Sequence, residues 1–593
     1  MTFRAFALLL HVVAFLALAE AGVAGAADPN KILRLASPDI ETLDPHQIND
    51  SPSSDVADAI FEGLYEWDYL ASPARLAPLV ASGPPEITDG GTVWTIRMKS
   101  GIHFTDDPAF AGKRRELAAD DIVYSLKRAI DPNLRRGGAP LITNLIEGAR
   151  AVVDAASKPG AKFDYDRPVA GLRAIDRHTV QLRLTAPNYA LIEAYLTTAA
   201  VAREVVEAAG ADIRTRPVGT GPFRLKQWKV GSRIVLEANP DYGPVRFPAS
   251  ADPAHAVLVS SMRGKSLPQV GVVDISVIEE DGTRLLEFDR GKLDYVVLRS
   301  EIANRQLVNG KVKPEYAARG ISRQVFTEPY LFSVYINLAD PVVGRMGSER
   351  VALRRAMALA VDVDTLIKVV YAGQALPANQ LIPPRVTGHD PSLPPRPPHD
   401  HATANALLDR FGYAKRDPDG YRRAPDGKPL TLTMSLRTAA ISREIQTLWK
   451  KDMDAIGLRM KYRLTPFQDV IKELEAGNFQ LYFGGYGGSP SGFGELVQLY
   501  GPEPPTVNPS RFHSGEYDRA LEEFLRSPAE AGQIAAARRM WDIARTFVPI
   551  IPLIFRLESD FVQPWVQGFS PPVFKTYWKY LDIDLARQRE GVK

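Results

Sequence analysis

From Lys31 onward, short apolar or alternating runs take turns with segments whose apolar residues recur at helical spacing. That alternation constrains the fold more than any other feature, because strands interleaved with amphipathic helices build α/β layers. Residues 32–36 (Ile-Leu-Arg-Leu-Ala) read as a buried first strand. Residues 54–65 carry Val56, Ile60, Phe61 and Leu64 at helical spacing, with Gly63 placed to close the helix. Residues 92–98 and 178–184 alternate as strands. Residues 118–130 read as a helix with Asp120 and Asp121 in the first turn, where the dipole favours acid. Residues 223–237 predict a hairpin turning at Val230-Gly231-Ser232, and residues 348–370 one long helical region.

At 593 residues the chain exceeds a single core, so two or three lobes are expected, burying roughly 75% of the unfolded surface. There is no cysteine, which removes disulfides, thiolate catalysis and thiolate metal sites together. The 72 basic and 70 acidic residues are interleaved without a basic stripe, so no nucleic-acid partner is expected. Prolines cluster over residues 383–398, which reads as a long surface loop inside one lobe.

The N-terminus has the layout of a secretory signal peptide: Arg4, an apolar stretch over residues 5–19, then Ala24-Gly25-Ala26 as the cleavage site. No cysteine follows to carry a lipid, and no later segment has the ~18 apolar residues of a membrane span. A soluble periplasmic protein, mature from Ala27, is expected.

Enzyme signatures fail by inspection. Gly264-Lys265-Ser266 imitates the end of a phosphate loop, but Val259 stands where its first glycine is needed. Gly219-Thr220-Gly221 lacks the third glycine of a dinucleotide fingerprint and precedes a strand. There is no Gly-x-Ser-x-Gly, His-Glu-x-x-His or Ser-x-x-Lys. His399-Asp400-His401 groups three possible metal ligands, but it reads better as a loop leading into the helix at Ala402. The pairs Glu279-Glu280 and Asp120-Asp121 read as solvated faces or helix starts. Neither a catalytic residue nor a metal or other cofactor is expected.

Several motifs recur together: Leu43-Asp44-Pro45-His46, Ile60-Phe61-Glu62-Gly63-Leu64-Tyr65-Glu66, Trp94-Thr95-Ile96-Arg97, and Gly101-Ile102-His103-Phe104-Thr105-Asp106. They continue in Leu117-Ala118-Ala119-Asp120-Asp121-Ile122-Val123-Tyr124, Arg216-Pro217-Val218-Gly219-Thr220-Gly221-Pro222-Phe223, Asn239-Pro240-Asp241-Tyr242, and Leu353-Arg354-Arg355-Ala356-Met357-Ala358-Leu359-Ala360-Val361-Asp362. In this order they resemble the family 5 extracellular solute-binding proteins of ABC transporters, the oligopeptide- and dipeptide-binding family. The resemblance implies a two-lobed periplasmic binding protein of the Venus-flytrap type, α/β, with mixed sheets flanked by helices and an extra subdomain. Mapped here, lobe I comprises residues 27–75, 186–302 and 548–593, its subdomain residues 76–185, and lobe II residues 303–547. The implied partners are a peptide or peptide-like ligand and an inner-membrane ABC permease, with the protein acting as a monomer. A non-peptide solute (an oligosaccharide, an opine-like conjugate or a metal complex) and an exported hydrolase are the alternatives.

The resemblance places ligand contacts in the loop at Tyr486, Gly487, Gly488, Ser489 and Phe493. Peptide-binding members carry here an aspartate that pairs with the ligand's α-ammonium. In this chain Ser489 occupies that place, and the nearest carboxylate downstream is Glu495. A charge-assisted hydrogen bond is worth roughly 1.5–3 kcal/mol against about 1 for a neutral one. Its loss weakens zwitterions about 10- to 100-fold. Either the anchor differs, or the ligand lacks a free ammonium, or the correspondence is offset by a few residues across the glycines. Residues 243–271 form a longer segment than the family pattern has, and read as a surface insertion.

Overall fold

The computed structural model describes residues 27–134, 140–298, 300–308, 310–439, 441–488, 491–570 and 578–591. The expected signal peptide lies outside them. Three larger sheets organise the chain, with helices packed on the second and third, so the mixed α/β architecture is observed. No helix among the described residues is long and apolar enough to cross a membrane.

The first sheet runs in the order Asp28–Ser37, Val270–Val277, Arg233–Ala238, Phe223–Lys229. Its first pair is parallel and the others antiparallel. The expected hairpin is present, its turn made by Gly231 at φ 69°. Leu33, Leu35, Ile234, Leu236, Val273 and Ile275 are buried.

A second, antiparallel sheet has the order Glu86–Thr88, Val93–Arg97, Thr179–Arg183, Leu172–Asp176. Helix Ala119–Ala129 packs on it. Asp121 secures the start of that helix: it accepts from the Ala118 amide at 2.8 Å and pairs with Arg115. Arg128 in its last turn reaches Asp44 at 2.7 Å, both side chains being buried. The Leu43-Asp44-Pro45-His46 motif is therefore a buried tie between the segment that follows strand Asp28–Ser37 and this layer.

The third sheet has seven strands, ordered Tyr295–Leu298, Ile550–Val562, Ser322–Ile336, Leu481–Gly487, Thr431–Arg437, Arg459–Thr465, with Ala375–Pro377 also on Ile550–Val562. Its two longest strands, Ser322–Ile336 and Ile550–Val562, are antiparallel from Ser322 opposite Val562 to Tyr335 opposite Ile550. The boundary drawn from sequence between Phe547 and Val548 thus sets on opposite sides two strands that share a ladder.

Two helices depart from the sequence reading. The first is Ser51–Asp58, ending seven residues before Tyr65. Carbonyls that would continue it accept instead from distant amides: Ala59 from Phe223, Ile60 from Gly221 and Glu62 from Ala200, at 2.8–3.0 Å. Gly63 consequently does not cap a helix; a Cβ there would stand 2.8 Å from the Thr197 backbone. The region 348–370 is two helices, Ser348–Ala360 and Val363–Val369. Asp362 interrupts them by capping the second, accepting from Thr365 N at 2.9 Å while its own amide donates to Asp452.

The proline-rich stretch 383–398 has neither helix nor strand. Arg396 ties it to the Pro552 carbonyl at 2.6 Å, and Asp390 to Arg538. Asp400 caps helix His401–Leu408, as the reading of His399-Asp400-His401 requires, and no group of three metal-ligating side chains occurs among the described residues. The segment 243–271, expected to be a surface insertion, holds a two-stranded ribbon, Val245–Arg246 with Ser266–Leu267, and helix Ala256–Met262, and its last two residues begin strand Val270–Val277 of the first sheet. Lys265, the false phosphate-loop lysine, binds Asp582 at 2.6 Å and Gln567 at 2.9 Å.

Candidate functional site

A cavity of about 670 Å3 lies between these layers. One wall comes from residues 51–79, with Thr197, Pro222, Trp578 and Lys579; the other comes from Phe326, Glu328, Pro329, Tyr330, Gly488, Arg556 and Glu558. Its size is that of a small-ligand cleft, and the two walls belong to parts of the chain far apart in sequence.

Helix Ser51–Asp58 supplies the first wall. Ser51, Ser54, Asp55 and Asp58 stand at i, i+3, i+4 and i+7, so they share one face and line the cavity. Ser53, Val56 and Ala57 point the other way and are buried. Asp50 fixes the helix start by accepting from Ser53 N at 2.7 Å. Asp58 is open to the cavity but enclosed by protein, and that enclosure, with Asp55 beside it, raises its carboxyl well above the usual range.

Where the helix stops, the extended segment delivers Glu62. Gly219-Thr220-Gly221 crosses it so closely that a Cβ on Gly219 would lie 2.1 Å from the Ile60 oxygen, and one on Gly221 2.6 Å. Between the glycines, Thr220 donates to Glu62 at 2.9 Å. Burial nonetheless pushes the Glu62 carboxyl up to about 7, with Lys579 and Thr220 opposing. Glu66 accepts from Lys579 at 2.5 Å and from Tyr580 at 3.0 Å.

The opposite wall is built by a bulge. Between Thr327 and Leu331 one long strand advances four residues while its partner advances two, from Leu557 to Phe555. Pro329 sits in that bulge, where the missing amide costs no ladder bond. The extra residues turn Glu328 and Tyr330 onto the cavity, facing Arg556 and Glu558 of the neighbouring strand. Arg556 donates to Glu328 at 2.6 Å and lies over the Phe332 ring, 5.0 Å from its centre. Burial first, then the nearby Glu558, raises the Glu328 carboxyl.

Of the five residues expected from sequence, Gly488 lines the cavity, its amide donating to the Pro329 carbonyl at 2.6 Å. Gly487 pairs with Tyr330 at φ 135°, against the Pro329 oxygen and Glu495. Tyr486 is the strand residue opposite Leu331, with its side chain outside what is described. Ser489 also lies outside the described residues. Phe493 opens a short helix after Gly492, whose φ of 68° turns the chain inward, and it packs into the core. Glu495 is fully buried beneath the glycines. Its Oε1 accepts from Gly488 N at 3.3 Å, and its Oε2 has no hydrogen-bond partner among the described residues.

Asp55, Asp58, Glu328, Arg556, Glu558 and Lys579 were not singled out from sequence. A signal existed for some: Ser51, Ser54, Asp55 and Asp58 form a polar helical face, and Arg556, Glu558, Ser559 and Asp560 interrupt a strand that begins as an apolar run.

Comparison with known proteins agrees with this architecture. Residues 75–503 match the family model described as bacterial extracellular solute-binding proteins, family 5 Middle. The periplasmic oligopeptide-binding protein OppA of Escherichia coli K12 is 24% identical, the match spanning 97% of this chain and 96% of that protein. Di/tripeptide-binding protein 2 of Pseudomonas aeruginosa is 23% identical over 85% of this chain and 88% of its own length. Among solved structures, HbpA2 of Haemophilus parasuis superposes with a TM-score of 0.69 at 20% identity, covering 94% of this chain and all of that one. The DppA protein of Helicobacter pylori, solved with the peptide STSA, gives 0.65 at 19% identity, covering 93% of this chain and 98% of that one. The matched model covers well over half of the chain, and the chain belongs to the bacterial extracellular solute-binding proteins of family 5.

Proposed function

We propose that this protein is the periplasmic binding component of an ABC importer, capturing peptides or peptide-like solutes between two lobes and handing them to a membrane permease. The observation that carries the reading is a cavity of ligand size walled by helix Ser51–Asp58 on one side and the bulged strand Ser322–Ile336 on the other. A solute touching both walls gains contacts only when they approach, so its binding energy drives closure. The permease then senses occupancy as shape. Relatives named for oligopeptides and di- or tripeptides support the ligand class.

On this reading residues 1–26 direct export and are removed, and the mature monomer carries no lipid. Lobe I is residues 27–75, 186–302 and 548–593, its subdomain residues 76–185, and lobe II residues 303–547. Strand Ile550–Val562, laddered to Ser322–Ile336, is the crossing between lobes. The ligand leaves unchanged, with no catalysis. Calorimetric titration of the mature protein with di- to pentapeptides, paired with solution scattering, tests this. One-to-one binding with a smaller radius of gyration is expected; an unchanged envelope at saturation, or hydrolysed peptide, refutes it.

A further inference from the structure

The first sheet opens a crevice beside the cleft. Its two parallel strands, Asp28–Ser37 and Val270–Val277, lie side by side with Leu35 opposite Ile275, and each leads on to its own helix, Ser51–Asp58 and Asp281–Asp289. Where the connections of neighbouring parallel strands part, a crevice forms outside their carboxyl ends. Here it encloses about 270 Å3, walled by Pro38, Pro52 and Val56 on the way out of the first strand and by Asp281 and Arg284 after the second. Ser51, Asp55 and Trp578 line both this chamber and the larger cavity, so the two meet across these side chains.

The chamber differs from the cleft in chemistry. Leu35, Val56, Ile275, Val296 and Val297 give it walls without a polar side-chain atom, and the first four are buried. Its polar side chains are Ser37, the Ser51 and Asp55 pair at the mouth, Tyr295, Trp578, and Asp281 with Arg284. The Trp578 indole donates to the Tyr295 hydroxyl at 2.9 Å, so its one donor is used within the protein. Arg284 pairs with Asp281 at 3.0 Å, and its other nitrogens donate to the carbonyls of Ile278 at 2.6 Å and Glu279 at 3.0 Å. A polar group pushed between the aliphatic walls exchanges water for surfaces that cannot hydrogen-bond, whereas an apolar group gains with every carbon it buries. An apolar cavity of roughly 150 Å3 already accepts a benzene ring. The chamber therefore has room for a leucine or phenylalanine side chain.

We propose that this chamber is a second compartment of the solute site, entered from the cleft past Trp578, and that it selects solutes carrying a large apolar side chain, in peptide terms leucine or phenylalanine. This rests on the reading of the cleft as the peptide site and adds the side chain it prefers.

The test compares peptides that differ in one side chain. Tripeptides of alanine with leucine, phenylalanine or glutamine at the first, second or third position are titrated calorimetrically into the mature protein beside trialanine. Glutamine keeps the bulk and adds an amide. At one position leucine and phenylalanine should bind about 10-fold or more tighter than alanine, the scale of burying three or more carbons. Glutamine there should stay within about 3-fold of alanine. Val297→Phe and Ala36→Leu fill the chamber from different strands, and each should cut the leucine-to-alanine ratio to under about 3-fold. The second variant serves if the first does not fold. Equal affinity for leucine and alanine at every position, glutamine binding as tightly as leucine, or a leucine preference that survives filling the chamber overturns the compartment and leaves the peptide reading standing. No binding of any peptide overturns both.

Discussion

Replacing Glu495 with glutamine should stabilise the protein, increasingly so as the pH rises. Glu495 is fully buried, and only one of its oxygens has a hydrogen-bond donor among the described residues, the Gly488 amide at 3.3 Å. Burial pushes its carboxyl from 4.5 up to about 8, against small opposing bonds from backbone amides. Folding therefore takes up a proton between those values: the native state binds more protons than the unfolded chain, and stability falls as pH rises from 4.5 towards 8. At about 1.4 kcal/mol per unit, the group costs roughly 4 kcal/mol at pH 8 and less than about 1 kcal/mol at pH 5. Glutamine has the shape of the protonated acid. Its oxygen can keep the Gly488 amide, and its NH2 donates as the acid proton would. Urea unfolding followed by tryptophan fluorescence should give Glu495→Gln an advantage of a few kcal/mol at pH 8 that shrinks to near nothing at pH 5. A variant less stable than the parent at pH 8, or an advantage independent of pH, would mean that Glu495 is ionised and satisfied in the native protein. The burial argument would then fail.

Gly219→Ala places a methyl 2.1 Å from the Ile60 oxygen. The segments must part, straining the hydrogen bonds of Gly221 and Phe223 to residues 60 and 59, for a loss of about 3 kcal/mol or more visible as a lowered Tm. Asp44→Asn leaves the buried Arg128 guanidinium without its carboxylate, and chemical denaturation should show a loss of about 3–5 kcal/mol. A loss under about 1 kcal/mol would show that water or His46 compensates.

The amino-acid pattern by itself determined the layers. Alternation at 92–98 and 178–184 became adjacent strands of one sheet, and the apolar runs around Gly231 became a hairpin, because period-two patterns and turn residues act over a few positions. The order of short motifs likewise carried the family. What remained illegible needed partners distant in the chain. Residues 59–62 have helical spacing, yet distant amides at Gly221, Phe223 and Ala200 claim their carbonyls, so Glu62 faces a cavity rather than extending a helix. Glu328 and Glu558 meet only because a two-residue bulge at Pro329 shifts one long strand against another more than 200 positions away. The pocket loop shows both halves of the lesson: the family resemblance drew attention to a loop in which Gly488 lines the cavity, while tertiary packing sent Phe493 inward and buried Glu495 behind it. Local spacing decides which elements form; hydrogen bonds between remote segments decide which side chains share a cleft.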